Sequence, residues 1–261
     1  MDNETDATWD ARFREKLGQQ TSLNSAALLL AESAAELGWN LAAFQLDREQ
    51  LALPRGSDGQ FIGTAMGWPS DCVHHWVDRE LGRYCPVTQM CGRTADAIVW
   101  ECDPAGVAWR GRKLGLEQTE VLQYYRNFFE GAVTVPVHRP GGKSGYVTWC
   151  IRDRDQLLER ARETYGATYL MSHAFIRHVD RLEAVRREAF NTANPDALTA
   201  REIECLNWAA CGKTEEEIAL ILHRSHETVR FHVRNAVTKL NASNRTHAVA
   251  LACSRGLITV R

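Results

Sequence analysis

The strongest constraint on this chain is a pair of helix-start signatures placed close together, Thr199-Ala-Arg-Glu202 and Thr214-Glu-Glu-Glu217. In such a capping box the threonine hydroxyl accepts from a free backbone N–H, and the glutamate reaches back to the cap's own N–H. Between the two boxes, Ile203, Leu206 and Ala210 recur on one helical face and Gly212 supplies a stop. Beyond the second box, Ile218, Ala219, Ile221 and Leu222 read as inward-facing. Ser225 caps a third helix with Val229, Val233, Ala236, Val237 and Leu240 on its inner side, and Ser243 opens a fourth that ends at Gly256. Helices this short are marginal alone, so they must bury their apolar stripes against one another in a small bundle.

With Val229 and Val233 inward, Arg230 and Arg234 lie one turn apart on the outer face of the third helix. Arginine makes a bidentate contact with guanine O6 and N7, the commonest specific contact to a base edge. Thr228, Phe231 and His232 flank the pair, and His226 stands near the helix start. Lys213 and the free N–H groups at Thr214 suit phosphate oxygens. The charge distribution agrees. Residues 1–197 carry 22 Lys/Arg against 27 Asp/Glu, whereas residues 198–261 carry 9 against 6. A basic module on an acidic protein fits contact with the phosphates of double-stranded DNA.

Residues 198–258 resemble the C-terminal domain of the LuxR family. The match is carried by Leu198-Thr-x-Arg-Glu202, Trp208, Gly212-Lys-Thr214, Glu217-Ile-Ala219, Thr228-Val229, Ala236, Lys239-Leu240 and Gly256-Leu-Ile258. The resemblance implies a four-helix helix-turn-helix domain over residues 198–261. Its third helix would be the recognition helix, with Arg230 and Arg234 where relatives place base-reading basic residues.

Upstream, the polar stretch 188–197, which holds Pro195, lies between two helical patterns and reads as a linker. Residues 1–187 then form a first domain that mixes helices and strands. Residues 22–37, 116–129 and 155–187 have helical periodicity, and residues 39–47 fit a strand less securely. Ala132–Arg139 and Tyr146–Arg152 read as an antiparallel hairpin around a turn at Pro140-Gly-Gly. The expected fold class is therefore α+β. It combines an N-terminal α/β/α layered domain, with an antiparallel sheet and room for a cavity, and a C-terminal all-α domain.

The LuxR resemblance extends into residues 60–150, to the autoinducer-binding regulators of the family. Relatives show an aromatic-Pro-x-x-Trp-x-x-x-Tyr segment, then Asp-Pro-Val, then a Trp fourteen residues beyond that proline. This chain has Trp68-Pro69 followed by Cys72 and Trp76, then Cys85-Pro86-Val87, then Trp100 at the matching distance. In relatives the first Trp donates to the lactone carbonyl of an acyl-homoserine lactone. The Tyr bonds the amide carbonyl, and the Asp accepts from the amide N–H. Cys72, Trp76 and Cys85 stand at those three positions. A thiol is a weak donor and acceptor, and indole only donates. A buried ligand amide without its charge-assisted partner costs about 1–3 kcal/mol.

Three readings stay open on the sequence. The pocket takes a different small molecule between the aromatic walls Trp68, Trp76 and Trp100; it takes an acyl-homoserine lactone in an altered pose; or its own side chains fill it. Trp76 and Trp100 also fit as plain core aromatics, Cys72 and Cys85 as small buried hydrophobes, and Thr148 either as a ligand contact or as a cross-strand partner.

The sequence argues against several other classes. The first forty residues lack the opening strand and acidic pair of a phosphorylated receiver domain. The eight cysteines include no C-x-x-C pair, so neither a metal site nor a cofactor is expected, although His74 and His75 lie near Cys72. Cys72 beside a histidine lacks the features of a thiol enzyme, and no enzymatic activity is expected. No signal peptide or membrane span is read, which leads to an expectation of a cytoplasmic protein. The expected partners are a palindromic operator in double-stranded DNA, a second copy of the chain, a small signal molecule and RNA polymerase. The alternative from another class is a heterodimerising anti-activator.

Overall fold

Both faces of the central sheet are buried, and this dictates a layered first unit. The computed structural model describes residues 6–48, 53–56, 59–78, 80–106, 109–139, 143–193, 198–255 and 257–258. The chain divides into two compact units, Met1–Leu182 and Glu183–Arg261. In the first, β1 (Leu41–Gln45), β2 (Ile98–Glu101), β3 (Gly131–His138) and β4 (Ser144–Ile151) form an antiparallel sheet of order β1-β4-β3-β2. The β3–β4 pair runs from Gly131↔Ile151 to His138↔Ser144, so the hairpin read from sequence is present; its turn residues 140–142 lie outside the described residues.

Side chains alternate across a strand, and here each alternate set has its own cover. Val133, Val135, Val137, Val147, Trp149 and Ile151 point into one cluster with Leu30, Met171 and Phe175. The helices on that side are α1 (Asp6–Gly18), α2 (Leu23–Glu36), capped by Ser22, and the helical segments that carry Leu157, Ala161, Met171, Phe175 and Val179. The opposite set, including Ala132, Tyr146 and Cys150, packs with Cys85, Trp100, Tyr125 and Phe129. That side is covered by shorter helices: α4 (Ser70–Asp78), α5 (Leu81–Tyr84), α6 (Pro86–Met90) and α7 (Leu116–Tyr125), while α3 (Ile62–Ala65) buries Ile62 in the first cluster. The α/β/α layering expected from sequence is what is observed.

The single helix expected over residues 155–187 is broken. A 3-10 turn at Arg154–Gln156 leads into α8 (Leu157–Glu163), and α9 (Tyr165–Ala193) begins after Thr164. Thr164 is the hinge. Its hydroxyl donates to the Arg160 carbonyl at 2.8 Å and accepts from the buried Trp39 indole at 3.2 Å. The helical backbone of α9 continues through Ala193, into the stretch read as a linker; residues 194–197, with Pro195, lie outside the described residues. The 116–129 helix also ends early, at Tyr125.

The second unit contains α10 (Ala200–Ala210), α11 (Glu215–Ile221), α12 (His226–Lys239) and α13 (Arg245–Ser254). Both capping boxes form, with Thr199 N–H to Glu202 at 2.7 Å and Thr214 N–H to Glu217 at 2.8 Å. Ser225 caps α12, but α13 is capped by Asn244 rather than Ser243; Gly256, the expected stop, is not among the described residues. Ile221, read as inward, is exposed at the end of α11. Glu202 is only 2% exposed and also holds the Lys239 ammonium at 2.9 Å, tying the start of α10 to the end of α12. No described helix is long and apolar enough to cross a membrane.

Gly212 closes α10 in the left-handed region at φ +78°, with Lys213 N–H returning to the Trp208 carbonyl at 3.1 Å. A Cβ there meets nothing within 4 Å, so the penalty for a side chain is conformational alone. Gly212→Ala should therefore destabilise the protein by about 1 kcal/mol, read as a lower urea midpoint. Gly18→Ala, equally open but at an ordinary φ, should leave that midpoint unchanged or slightly raised.

Candidate ligand cavity and nucleic-acid interface

The shorter helices do not fill the space above the second sheet face. They leave a cavity of about 110 Å³ that Trp68, Cys72, Trp76, Cys85, Trp100 and Thr148 all line. Cys72 and Trp76 come from α4, one turn apart and so on one side of the helix. Cys85 occupies the cap position of α6, where Pro86 opens the helix with its preset φ. Trp100 and Thr148 come from β2 and β4. The sequence-selected residues thus converge on one space.

The polar groups of this cavity are largely engaged with one another. The Trp68 indole donates to the Ala42 carbonyl at 2.6 Å, and the Trp100 indole donates to the Thr134 hydroxyl at 2.9 Å. Thr134 and Thr148 are cross-strand partners whose hydroxyls lie 2.9 Å apart. Because Thr134 already accepts from indole, its own proton can pass to Thr148, which leaves the Thr148 hydroxyl able to donate into the cavity. Thr88 and Tyr146 form a second hydroxyl pair at 3.2 Å. Among the described residues, no Asp, Glu, Lys, Arg or His lines the space.

Aromatic rings make its walls. Trp76 stacks on Tyr125 at 5.8 Å, while Phe129 meets Trp68 and Trp100 edge-on at 5.9 and 5.6 Å. Sequence reasoning missed Tyr125, Phe129, Thr134, Tyr146 and Thr88. Tyr125 stands out among them: its buried hydroxyl finds no oxygen or nitrogen partner among the described residues and lies beside the Cys85 thiol. His74 and His75 are used otherwise, against the rings of Phe61 and Tyr124.

In the second unit, Val229, Val233 and Ala236 are buried along α12 while Arg230, Phe231 and Arg234 are exposed. Thr228 is half-buried and shares a 2.7 Å hydrogen bond with the Ser225 hydroxyl. Lys213 is paired with Glu217 at 3.2 Å. The N–H of Thr214 is not free as the sequence suggested, because the Glu217 carboxylate of the capping box already takes it. His226 lies against Glu215 and Glu216. Arg201 and Arg224, not selected from sequence, share a cleft of about 190 Å³ with Thr228 and His232.

A family model for the autoinducer-binding domain matches residues 29–179, and one for bacterial regulatory proteins of the luxR family matches residues 196–252. The chain belongs to the LuxR family. RpaR of Rhodopseudomonas palustris, an HTH-type quorum sensing-dependent transcriptional regulator, is 32% identical over 76% of this chain and 75% of its own. Among solved structures, Escherichia coli SdiA has the same fold, with a TM-score of 0.64 at 18% identity over 96% of this chain and 98% of its own. SdiA in complex with octanoyl-rac-glycerol gives 0.62 at 18% identity, over 98% of each chain. This LuxR-family chain is thus a quorum-sensing-type transcription regulator, with a module for a small molecule and a helix-turn-helix for DNA.

Three thiols face the cavity, and burial keeps them protonated. It pushes Cys72 up to about 12, and Cys85 and Cys150 upward as well. Neutral thiols are poor nucleophiles, so these cysteines act as small apolar lining. In the native protein at neutral pH, iodoacetamide should alkylate the exposed Cys211 and spare Cys72, Cys85 and Cys150 until denaturant is added. The unfolded thiols ionise near pH 8.5 and the folded ones do not. Thiol ionisation should therefore leave stability unchanged below that range and erode it as the pH rises further.

Proposed function

We propose that the protein is a homodimeric, cytoplasmic transcription regulator that acts on DNA rather than on a substrate. Its cavity takes a neutral small molecule other than an amide-anchored acyl-homoserine lactone. Residues 1–187 serve as the sensing and dimerising domain, residues 188–197 as the connector and residues 198–261 as the output domain. The observation that carries the ligand reading is the cavity itself, apolar and free of charged side chains among the described residues. The Trp68 and Trp100 indoles are spent within the protein, on Ala42 and Thr134. The polar groups that can meet a ligand include the Tyr125 and Thr148 hydroxyls and the Gln45 side-chain carbonyl, set in aromatic surface. That set suits a neutral carbonyl- or hydroxyl-bearing molecule with an apolar body.

The volume supports occupancy over the self-filled alternative. The surrounding side chains leave this space between them instead of filling it. SdiA, of the same fold, is known in complex with octanoyl-rac-glycerol, a neutral molecule with no amide. In the output domain, Arg230 and Arg234 address base edges, with Thr228 and Phe231 beside them. Lys213, exchanging Glu217 for a phosphate, and the Thr214 hydroxyl, which accepts from the Glu217 N–H and keeps its own proton to donate, fix the backbone register. Two such helices in a dimer fit half-sites about one DNA turn apart, and the bound dimer presents itself to RNA polymerase.

Protein purified from its own cytosol and denatured should release a neutral small molecule by mass spectrometry. Recovery of an acyl-homoserine lactone as a requirement for folding would overturn the ligand reading. On an operator selected from a random pool, Arg230→Ala and Arg234→Ala should each cost roughly 1–3 kcal/mol and relax base preference. Survival of selective binding in the double variant would overturn the recognition-helix assignment. Failure of the wild-type protein to bind DNA alone would favour an anti-activator.

A further inference from the structure

We propose that Phe231 reads the C5-methyl group of a thymine in the major groove, beside the bases addressed by Arg230 and Arg234. This rests on the reading of α12 as the recognition helix. The inner side of α12 is defined by the buried Val229, Val233 and Ala236. At 100° per residue, the opposite side carries Glu227, Arg230, Phe231, Arg234 and Thr238. Phe231 is 53% exposed, and among the described residues its ring contact is an edge-on approach to the neighbouring His232 at 5.7 Å. It is a large hydrocarbon held in water on a surface that is otherwise polar.

The neighbours of Phe231 select its partner. Arg230 and Arg234 bracket the ring and favour a polyanion over an apolar protein patch. A phenyl ring cannot hold a phosphate and cannot exchange hydrogen bonds with a base edge. Only thymine presents an apolar group on the major-groove edge, and that group is its methyl. Phe231 lies in the N-terminal half of α12, the part of a recognition helix that meets base edges. Covering the methyl would also remove the exposed ring from water.

Deoxyuridine differs from thymidine by this methyl alone and keeps every hydrogen-bonding group. The full-length protein is used to select an operator from a random duplex pool, and each thymine is then replaced in turn by deoxyuridine. At the contacted position the wild-type protein should bind about fourfold more weakly for each methyl removed. Phe231→Ala should bind the thymine operator more weakly than wild type and make no distinction between the two bases. Phe231→Leu should recover part of the discrimination. Because the side chain is exposed, both variants should keep the wild-type urea midpoint.

Equal affinity of the wild-type protein for thymine and deoxyuridine at every position would overturn the proposal while leaving the recognition helix in place. So would a deoxyuridine penalty that persists unchanged in Phe231→Ala. If no operator is selected from the pool at all, the recognition-helix reading fails and this proposal falls with it.

Discussion

The β3–β4 hairpin is buried on both faces, and most of the first unit follows from that constraint. A strand pair with no solvent side must be covered twice, and the two covers here differ. Long helical segments seal the face of Val133, Val147 and Trp149 into a continuous core. The short helices over the face of Thr134, Thr148 and Cys150 cannot pack as continuously, and the cavity lies beneath them. The cavity is therefore a product of how one sheet face is covered.

Polar groups on that face must be satisfied where they are buried. The sequence Trp100 indole, Thr134 hydroxyl, Thr148 hydroxyl does so across three strands and fixes the polar floor of the cavity. With Cys72 and Cys85 where the family resemblance places a tryptophan and an aspartate, no described lining residue supplies charge. The proposed ligand would then be held by shape, aromatic contact and a few neutral polar groups.

Much of this was legible in the sequence, for definable reasons. The capping boxes at Thr199 and Thr214 are local, and their chemistry acts over three residues. The exposure of Arg230 and Arg234 follows from the burial of Val229 and Val233. The cavity residues Trp68, Cys72, Trp76, Cys85 and Trp100 follow from family spacing, and Thr148 from its place on the second hairpin strand. What was missed is mostly non-local. The early break at Thr164 depends on the Trp39 indole, and the burial of Glu202 on Lys239. Tyr125 lies on a helix whose pattern marks an inner face but does not reveal that a cavity adjoins it. Asn244 displaced Ser243 as a cap because both are good cap residues standing in succession.

Under the proposed function, the absence of a carboxylate at Cys85 turns the cavity away from an acylated amide. Calorimetric titration of the wild-type protein and Cys85→Asp with N-octanoyl homoserine lactone tests it most directly. Wild type should bind it weakly and Cys85→Asp about ten- to a hundredfold more tightly, as the carboxylate recovers the amide N–H. Tight binding by wild type, unchanged or weakened by the aspartate, would contradict it.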